Sequence, residues 1–276
     1  MSSSVLHRRW ICRLSLLLLS GAITIRAEPL PRDPQRFATE IVRYEEADTA
    51  QRPRPGQILF LGSSTIRLWT TLQDDFAGFG VINRGFGGAR IAEVTLNLQR
   101  IAFPYAPRQI VFFAGGNDIA DGHFPEQVLA DFQQFVERTR RALPDVPISY
   151  IGIYHNPQRW HLRDRFRETN SLIANYCRQV PGLEFIETHP SFLNADGHPS
   201  PTLFAEDKLH LNAAGYKVLT ALLRRHLLPA PQAPSERRRP VPRRRRVARD
   251  PQGRNGREKH IRLRGAFPDF RPLPAQ

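Results

Sequence analysis

Short apolar segments of strand length alternate along the chain with longer segments in which apolar residues recur every three to four positions. The strand-like runs have no polar alternation, a pattern typical of strands buried on both faces of a parallel sheet. Alternating strands and helices predict an α/β fold with a central parallel sheet. The predicted strands are 58–61, 79–83, 109–113, 147–153 and 183–186, and the predicted helices are a short one within 33–56, then 91–101, 125–143, 162–180 and 212–228.

The charge of the chain is concentrated at its two ends. The formal net charge is +14, but residues 229–276 hold fourteen Lys and Arg against four Asp and Glu, and residues 1–27 add four Arg. The middle of the chain is therefore close to neutral. The excess of basic residues is a property of the two ends. It says little about what the predicted folded domain, residues 57–228, would bind.

Residues 1–27 have the layout of a secretory signal peptide. A basic segment precedes an apolar run over 14–25, which is too short for a comfortable membrane span. Cleavage is expected after Ala22 or Ala27, and an uncleaved anchor is the alternative. The protein is therefore predicted to be secreted or periplasmic, and residues 28–56 are predicted to form an N-terminal helix and a Pro-rich linker.

Residues 229–276 are rich in Pro and Arg and show hardly any apolar periodicity, which predicts a disordered tail. The Arg clusters at 237–239 and 243–246 are dense enough for phosphate contacts, but aromatic residues that would stack on bases are scarce. We therefore expect non-specific attraction of the tail to anionic surfaces, and no specific nucleic-acid partner.

Candidate chemistry begins with Gly62-Ser63-Ser64, which follows the predicted strand 58–61 and precedes a helix-like pattern. Open α/β sheets bind ligands at the carboxyl ends of their strands, and the free N–H groups of a new helix face the same place. Ser64 is therefore a candidate nucleophile. The alternative is that Ser63, Ser64 and Thr65 only cap the helix.

Asp207 and His210 are candidates for the base that such a serine needs. In a helical turn, residues three apart share a face, so the carboxylate would hold one ring nitrogen and leave the other free. A solvated loop histidine is the alternative. Donors for an oxyanion are expected from the N–H groups of Ser64 and Gly88 and from the Asn117 side chain, although Gly88 and Asn117 also suit ordinary turns.

Taken together, these motifs resemble the SGNH hydrolases, also called the GDSL-type esterase/lipase family. Ser64 matches the nucleophile of the first block, Gly88 the glycine of the second, Asn117 the asparagine of Gly-x-Asn-Asp, and Asp207 and His210 the Asp-x-x-His block. One position departs from the family, because Ser63 replaces the aspartate of Gly-Asp-Ser. The likeness covers roughly residues 57–228.

The resemblance implies a flavodoxin-like three-layer α/β/α fold with a central parallel sheet of about five strands, and a metal-free serine hydrolase without cofactor. The expected reaction is hydrolysis of acyl, first of all acetyl, esters of a small molecule or polysaccharide. A lysophospholipase or thioesterase of the same family is one alternative, and a non-catalytic binding protein on the same fold is another. A metal site at Asp118, Asp121 and His123 is a competing interpretation, but no paired His or Cys spacing supports it.

Overall fold

The structure, a computed structural model, describes residues 35–230. In that range five strands form one sheet: β1 Ile58–Gly62, β2 Val81–Gly85, β3 Gln109–Phe113, β4 Ile148–Ile151 and β5 Leu183–Ile186. Their order across the sheet is β2-β1-β3-β4-β5, and every neighbouring pair is parallel. This order is that of flavodoxin-like folds. The predicted fold class is confirmed.

Helices cover both faces of the sheet. The α-helices are α1 Ala38–Ala50, α2 Ser64–Arg67, α3 Leu72–Asp75, α4 Ile91–Ile101, α5 Gly116–Ala120, α6 Pro125–Ala142, α7 Arg163–Gln179 and α8 Ala213–Leu223. Side chains of α1, α4, α6 and α7 build the core on one face, and side chains of α2, α3 and α8 build the core on the other. The architecture is thus three layers, with the sheet in the middle.

The central strand β1 explains why an unbroken apolar run is needed. Leu59 and Leu61 face the core of the first helical layer, while Ile58 and Phe60 face the second. All four side chains are fully buried. Burying each such side chain stabilises the fold by roughly 1.5–3 kcal/mol, so both faces of the strand contribute.

Three predicted elements differ from the observed ones by two residues or more at an end. The fourth strand, predicted over 147–153, is observed only over Ile148–Ile151. The second strand begins at Val81, two residues later than predicted, because the chain turns through Gly78 and Gly80, both at positive φ. Phe79 lies inside that turn, with its N–H donating to Phe76 O. The last helix ends at Leu223, and a 3-10 turn, Arg224–His226, replaces its predicted final part.

The predicted signal peptide lies outside the described residues, as does the tail from residue 231 onward. Among residues 35–230, no helix has the length and apolar character needed to cross a membrane. The predicted N-terminal helix of the 28–56 segment is present as α1, followed by the stretch that contains the Pro-rich linker.

Candidate active site

Ser64 is the first residue of α2, at the carboxyl end of the central strand β1. Gly62 makes the sharp exit from the strand possible. Its φ is +143°, and a Cβ added there would lie 1.9 Å from Phe113 O of the neighbouring strand β3. Only glycine fits between the two strands, so this residue sets where the serine leaves the sheet.

The short helix that begins with Ser64 is held by hydrogen bonds to three other parts of the fold. Ser63 N–H donates to Phe113 O at 2.8 Å, and the Tyr216 hydroxyl of α8 donates to Thr65 O at 2.9 Å. Thr65 Oγ1 and the Tyr154 hydroxyl are 2.8 Å apart. Ser63 occupies the N-cap position, but its side chain makes no capping hydrogen bond. The capping interpretation of this serine is therefore wrong.

His210 joins Ser64 to Asp207. Its Nε2 is 3.1 Å from Ser64 Oγ, and its Nδ1 is 2.5 Å from Asp207 Oδ2. These three side chains come from opposite ends of the folded region, and the sheet brings them to one edge. The arrangement fits a serine nucleophile, a base and an orienting carboxylate.

Asp207 and His210 do not share a helical turn, contrary to the prediction. They lie in a tight loop before α8, in which Lys208 adopts a left-handed φ of +59°. Asp207 Oδ1 accepts hydrogen bonds from the N–H groups of Leu209 and His210, both at 2.9 Å. The loop is thus wound around the carboxylate. Asn212 caps the following helix, because its side chain accepts hydrogen bonds from Ala214 N–H and Gly215 N–H.

The carboxylate of Asp207 is held in its ionised form. Partial burial acts to raise its pKa, but the hydrogen bonds from the backbone and ring of His210 and from Leu209 N–H outweigh this and lower it to about 2. An ionised acceptor at Nδ1 favours the tautomer in which Nδ1 has the proton. The other ring nitrogen, which faces Ser64, can then accept one.

Asn117 lies at the start of α5 and lines the same pocket as Ser64 and His210. Its Nδ2 donates to Ala89 O at 3.0 Å, and its Oδ1 accepts from Arg159 Nη2 at 3.0 Å. Gly88 follows β2 with a φ of +71°, a conformation that suits glycine. It is not among the residues that line this pocket.

The pocket beside Ser64 is small, and polar and apolar groups contribute about equally to its lining. Its cavity volume is about 30 Å³. Phe113, Ile153, Tyr154 and Phe166 form apolar walls, and Arg159 contributes a guanidinium. Sequence reasoning missed Arg159, which belongs to no motif and lies in the loop after β4.

Two neighbouring residues after β4, Tyr154 and His155, have different surroundings. Tyr154 lines the pocket, stacked on Phe113 with ring centroids 5.3 Å apart. His155 is buried behind it, with its ring 4.1 Å from that of His189. Burial and the charge of His189 lower the pKa of His155 to about 4, which keeps the ring neutral near pH 7.

One group of side chains has the composition of a possible cation site. Asp118, His123 and Asp131 each offer one ligand atom, and these atoms lie within 4.8 Å of one another. Asp121, which the sequence suggested for such a cluster, instead pairs with Arg90 at 2.8 Å. Arg90 also lies 3.3 Å from His123 Nε2, so positive charge is already supplied to this group by the protein.

Comparison with known proteins decides the family. The model of the GDSL-like Lipase/Acylhydrolase family matches residues 60–218, more than half of the chain. The chain belongs to this family. The resemblance to SGNH hydrolases seen in the sequence is thus confirmed, and the family acts on esters as a group of acylhydrolases. The matched range includes Ser64, Asn117 and both residues of the Asp-x-x-His motif.

Relatives of this GDSL-like chain include the human platelet-activating factor acetylhydrolase IB subunit alpha1. It is 26% identical over 219 residues, which cover 76% of this chain and 92% of that protein. A solved structure from Streptococcus pneumonia, proposed to be a platelet activating factor, has a TM-score of 0.63 at 21% identity and covers 69% of this chain and 92% of that one. A variant of an acetyl xylan esterase from Geobacillus stearothermophilus has a TM-score of 0.52 at 15% identity, over 66% of this chain and 98% of that one. At such identities the two structures show the fold alone.

Proposed function

We propose that this protein is an exported serine esterase that hydrolyses small acyl esters, first of all acetyl esters. The observation that supports it best is the pair of contacts made by His210, 3.1 Å to Ser64 Oγ and 2.5 Å to Asp207 Oδ2. A base hydrogen-bonded to a serine and oriented by a carboxylate is the arrangement that acyl transfer requires.

In the proposed reaction, Ser64 Oγ attacks the ester carbonyl while His210 Nε2 takes its proton. The N–H group of Ser64 and the Asn117 amide, which belong to the pocket lining, would stabilise the oxyanion that forms, and Gly88 N–H is the third donor that the family resemblance implies. His210 then protonates the leaving alcohol, and the acyl-enzyme remains. Water, deprotonated by His210, attacks the acyl carbon, the bond from that carbon to Ser64 Oγ breaks, and His210 returns the proton to Ser64 Oγ as the acid is released. Asp207 holds the imidazole in position throughout.

The size of the pocket argues for a short acyl group. A cavity of about 30 Å³, lined by Phe113, Ile153 and Phe166 together with polar groups, suits a methyl or ethyl group better than a fatty chain. Two relatives are named for acetyl chemistry, an acetylhydrolase and an acetyl xylan esterase. We therefore favour an acetylated small molecule or polysaccharide as substrate, ahead of a lysophospholipid or a thioester.

Export is the remaining part of this proposal, and it is based on the layout of residues 1–27. N-terminal sequencing of the protein recovered from the periplasm or medium should begin at residue 23 or 28. Recovery of the full-length chain in the membrane fraction would instead favour the uncleaved anchor. The basic tail is proposed to add non-specific contact with anionic surfaces, which salt should weaken.

The central test compares 4-nitrophenyl acetate, butyrate and octanoate as substrates of the wild type, Ser64→Ala and Ser171→Ala. Ser171 is an exposed serine on α7, so its variant controls for the loss of a hydroxyl far from the site. Wild type and Ser171→Ala should cleave acetate fastest, and Ser64→Ala should lose at least about 10³-fold in kcat. Turnover that survives in Ser64→Ala would identify a different nucleophile, and an inactive wild type would favour the non-catalytic binding protein.

A further inference from the structure

Arg159 contacts the proposed oxyanion-binding loop at two points. It lies on the loop after β4 and lines the pocket beside Ser64. Its Nη1 donates to Gly116 O at 3.1 Å, and its Nη2 donates to Asn117 Oδ1 at 3.0 Å. A guanidinium presents its donors as a rigid planar fork, so two bonds to adjacent residues fix the loop more closely than one would.

These contacts also decide which way round the Asn117 amide lies. Its Oδ1 accepts from the guanidinium, while its Nδ2 donates to Ala89 O at 3.0 Å. A reversed amide would set an NH₂ group against the guanidinium donors and an oxygen against a carbonyl oxygen, and both contacts would be lost. One Nδ2 hydrogen is used by Ala89 O, and the second remains for a ligand in the pocket.

The charge of Arg159 is not neutralised by a neighbouring carboxylate. No acidic side chain lies within 4.0 Å of it in the described part of the chain, although several other arginines there have such partners. A hydrogen bond from a cation withdraws electron density from the amide oxygen and makes the amide N–H groups stronger donors. Its half-buried position increases this effect, because water screens the charge less there.

We propose that Arg159 is a positioning residue of the oxyanion hole, which fixes the orientation of the Asn117 amide and strengthens its donor towards the developing oxyanion. The inference depends on the proposed esterase function, because it assigns a role to Arg159 in that reaction. It does not require Arg159 to contact the substrate. The stronger hydrogen bond from the Asn117 amide should act mainly in the transition state, where the carbonyl oxygen of the substrate becomes negatively charged.

The test measures kcat and KM for 4-nitrophenyl acetate with the wild type, Arg159→Met, Arg159→Lys, Asn117→Ala and the double variant Arg159→Met/Asn117→Ala. Met preserves most of the side-chain length and removes the charge and donors. Arg167→Met is the matched control, because Arg167 is an exposed residue of α7 that pairs with Asp164. Thermal unfolding of each variant verifies that it is folded.

Arg159→Met should lower kcat about 10- to 100-fold with KM changed less than about threefold, as expected for an interaction stronger in the transition state. Arg159→Lys should recover part of the loss, and millimolar guanidinium chloride should partly restore Arg159→Met. In the Asn117→Ala background, the same substitution should cost less than about threefold, because its target is gone. Arg167→Met should behave as the wild type.

Additive losses in the double variant would overturn the inference, since Arg159 would then act independently of Asn117. A rise in KM confined to anionic esters, with kcat unchanged, would also overturn it, because Arg159 would then bind substrate charge directly. Reaction of the wild type with a fluorophosphonate reports separately on Ser64. A wild type that is neither labelled nor active would remove the proposed function and this inference with it, whereas a labelled, active wild type with additive losses removes the inference alone.

Discussion

The substitution Asp207→Asn tests how the orientation of His210 is set. Asp207 Oδ1 accepts from two backbone N–H groups, those of Leu209 and His210, each at 2.9 Å. In the variant, the amide oxygen should keep these two bonds, so the amide NH₂ must face His210 Nδ1. That nitrogen would then have to accept a hydrogen bond, and the ring proton would move to Nε2, where it faces Ser64.

The size of the effect follows from the two backbone bonds. Turning the amide over would exchange two hydrogen bonds, each worth roughly 1–1.5 kcal/mol, for two opposed donors. The orientation with the wrong tautomer is therefore favoured by about 2–3 kcal/mol, or roughly two orders of magnitude in population. The variant also loses the negative charge that stabilises the imidazolium, which should lower the rate further. We expect kcat/KM for 4-nitrophenyl acetate to fall about 10³- to 10⁴-fold, and the upper figure is about the loss of kcat that the matching substitution causes in a serine protease.

Steady-state hydrolysis of 4-nitrophenyl acetate at pH 8 measures the effect, and Glu206→Gln serves as the matched control. Glu206 precedes Asp207, is exposed, and has no ion pair in the described structure. Glu206→Gln should retain wild-type activity, which would separate the tautomer from a general loss of negative charge in the loop. A loss smaller than about tenfold in Asp207→Asn would refute the reasoning, because His210 would then be oriented by something else.

Three further substitutions test the packing around the site. Burial raises the pKa of Asp118 to about 7 in the folded state, whereas the unfolded chain releases this proton above about pH 4. The free energy of unfolding therefore falls as the pH rises from about 4 to about 7. Asp118→Asn should therefore be more stable than wild type at pH 8, by on the order of a few kcal/mol, and the difference in urea unfolding should shrink towards pH 4. Lys208→Gly should raise the free energy of unfolding by up to ~1 kcal/mol and leave turnover intact, because it relieves a φ of +59°. Gly62→Ala should cost about 3 kcal/mol or more in the same assay, because the new methyl meets Phe113 O.

The sheet could be predicted from the sequence because each strand is specified locally. The run 58–61 is apolar on both faces, and the observed strand extends it by only one residue. The second strand was misplaced by two residues, because Phe79 continues the apolar pattern but lies in a turn set by two glycines at positive φ. Apolar periodicity reports burial, and Phe79 packs against Phe76 without being in a strand.

The convergence of the proposed site residues at one edge of the sheet was predictable for a different reason. Ser64, Asn117 and His210 follow strand ends or precede a helix, so the parallel topology alone brings them to one edge. The loop geometry between Asp207 and His210 was not predictable from spacing, because a left-handed residue and two backbone bonds to the carboxylate replace the helical turn. A three-residue spacing is compatible with both conformations.

Arg159 shows the limit of reasoning from motifs, and it also suggests how the site is organised. Its position depends on how the loop after β4 folds back over α5, which no local pattern specifies. Asp207 and Arg159 are of opposite charge, and each is hydrogen-bonded to a side chain that lines the pocket, the imidazole of His210 in one case and the amide of Asn117 in the other. In the proposed reaction the first charge would favour proton uptake from Ser64, and the second would favour negative charge on the carbonyl oxygen. Both needs arise in the same step, since the serine proton leaves as the oxyanion forms. Removing either charge should therefore slow acylation more than it weakens binding of a neutral ester.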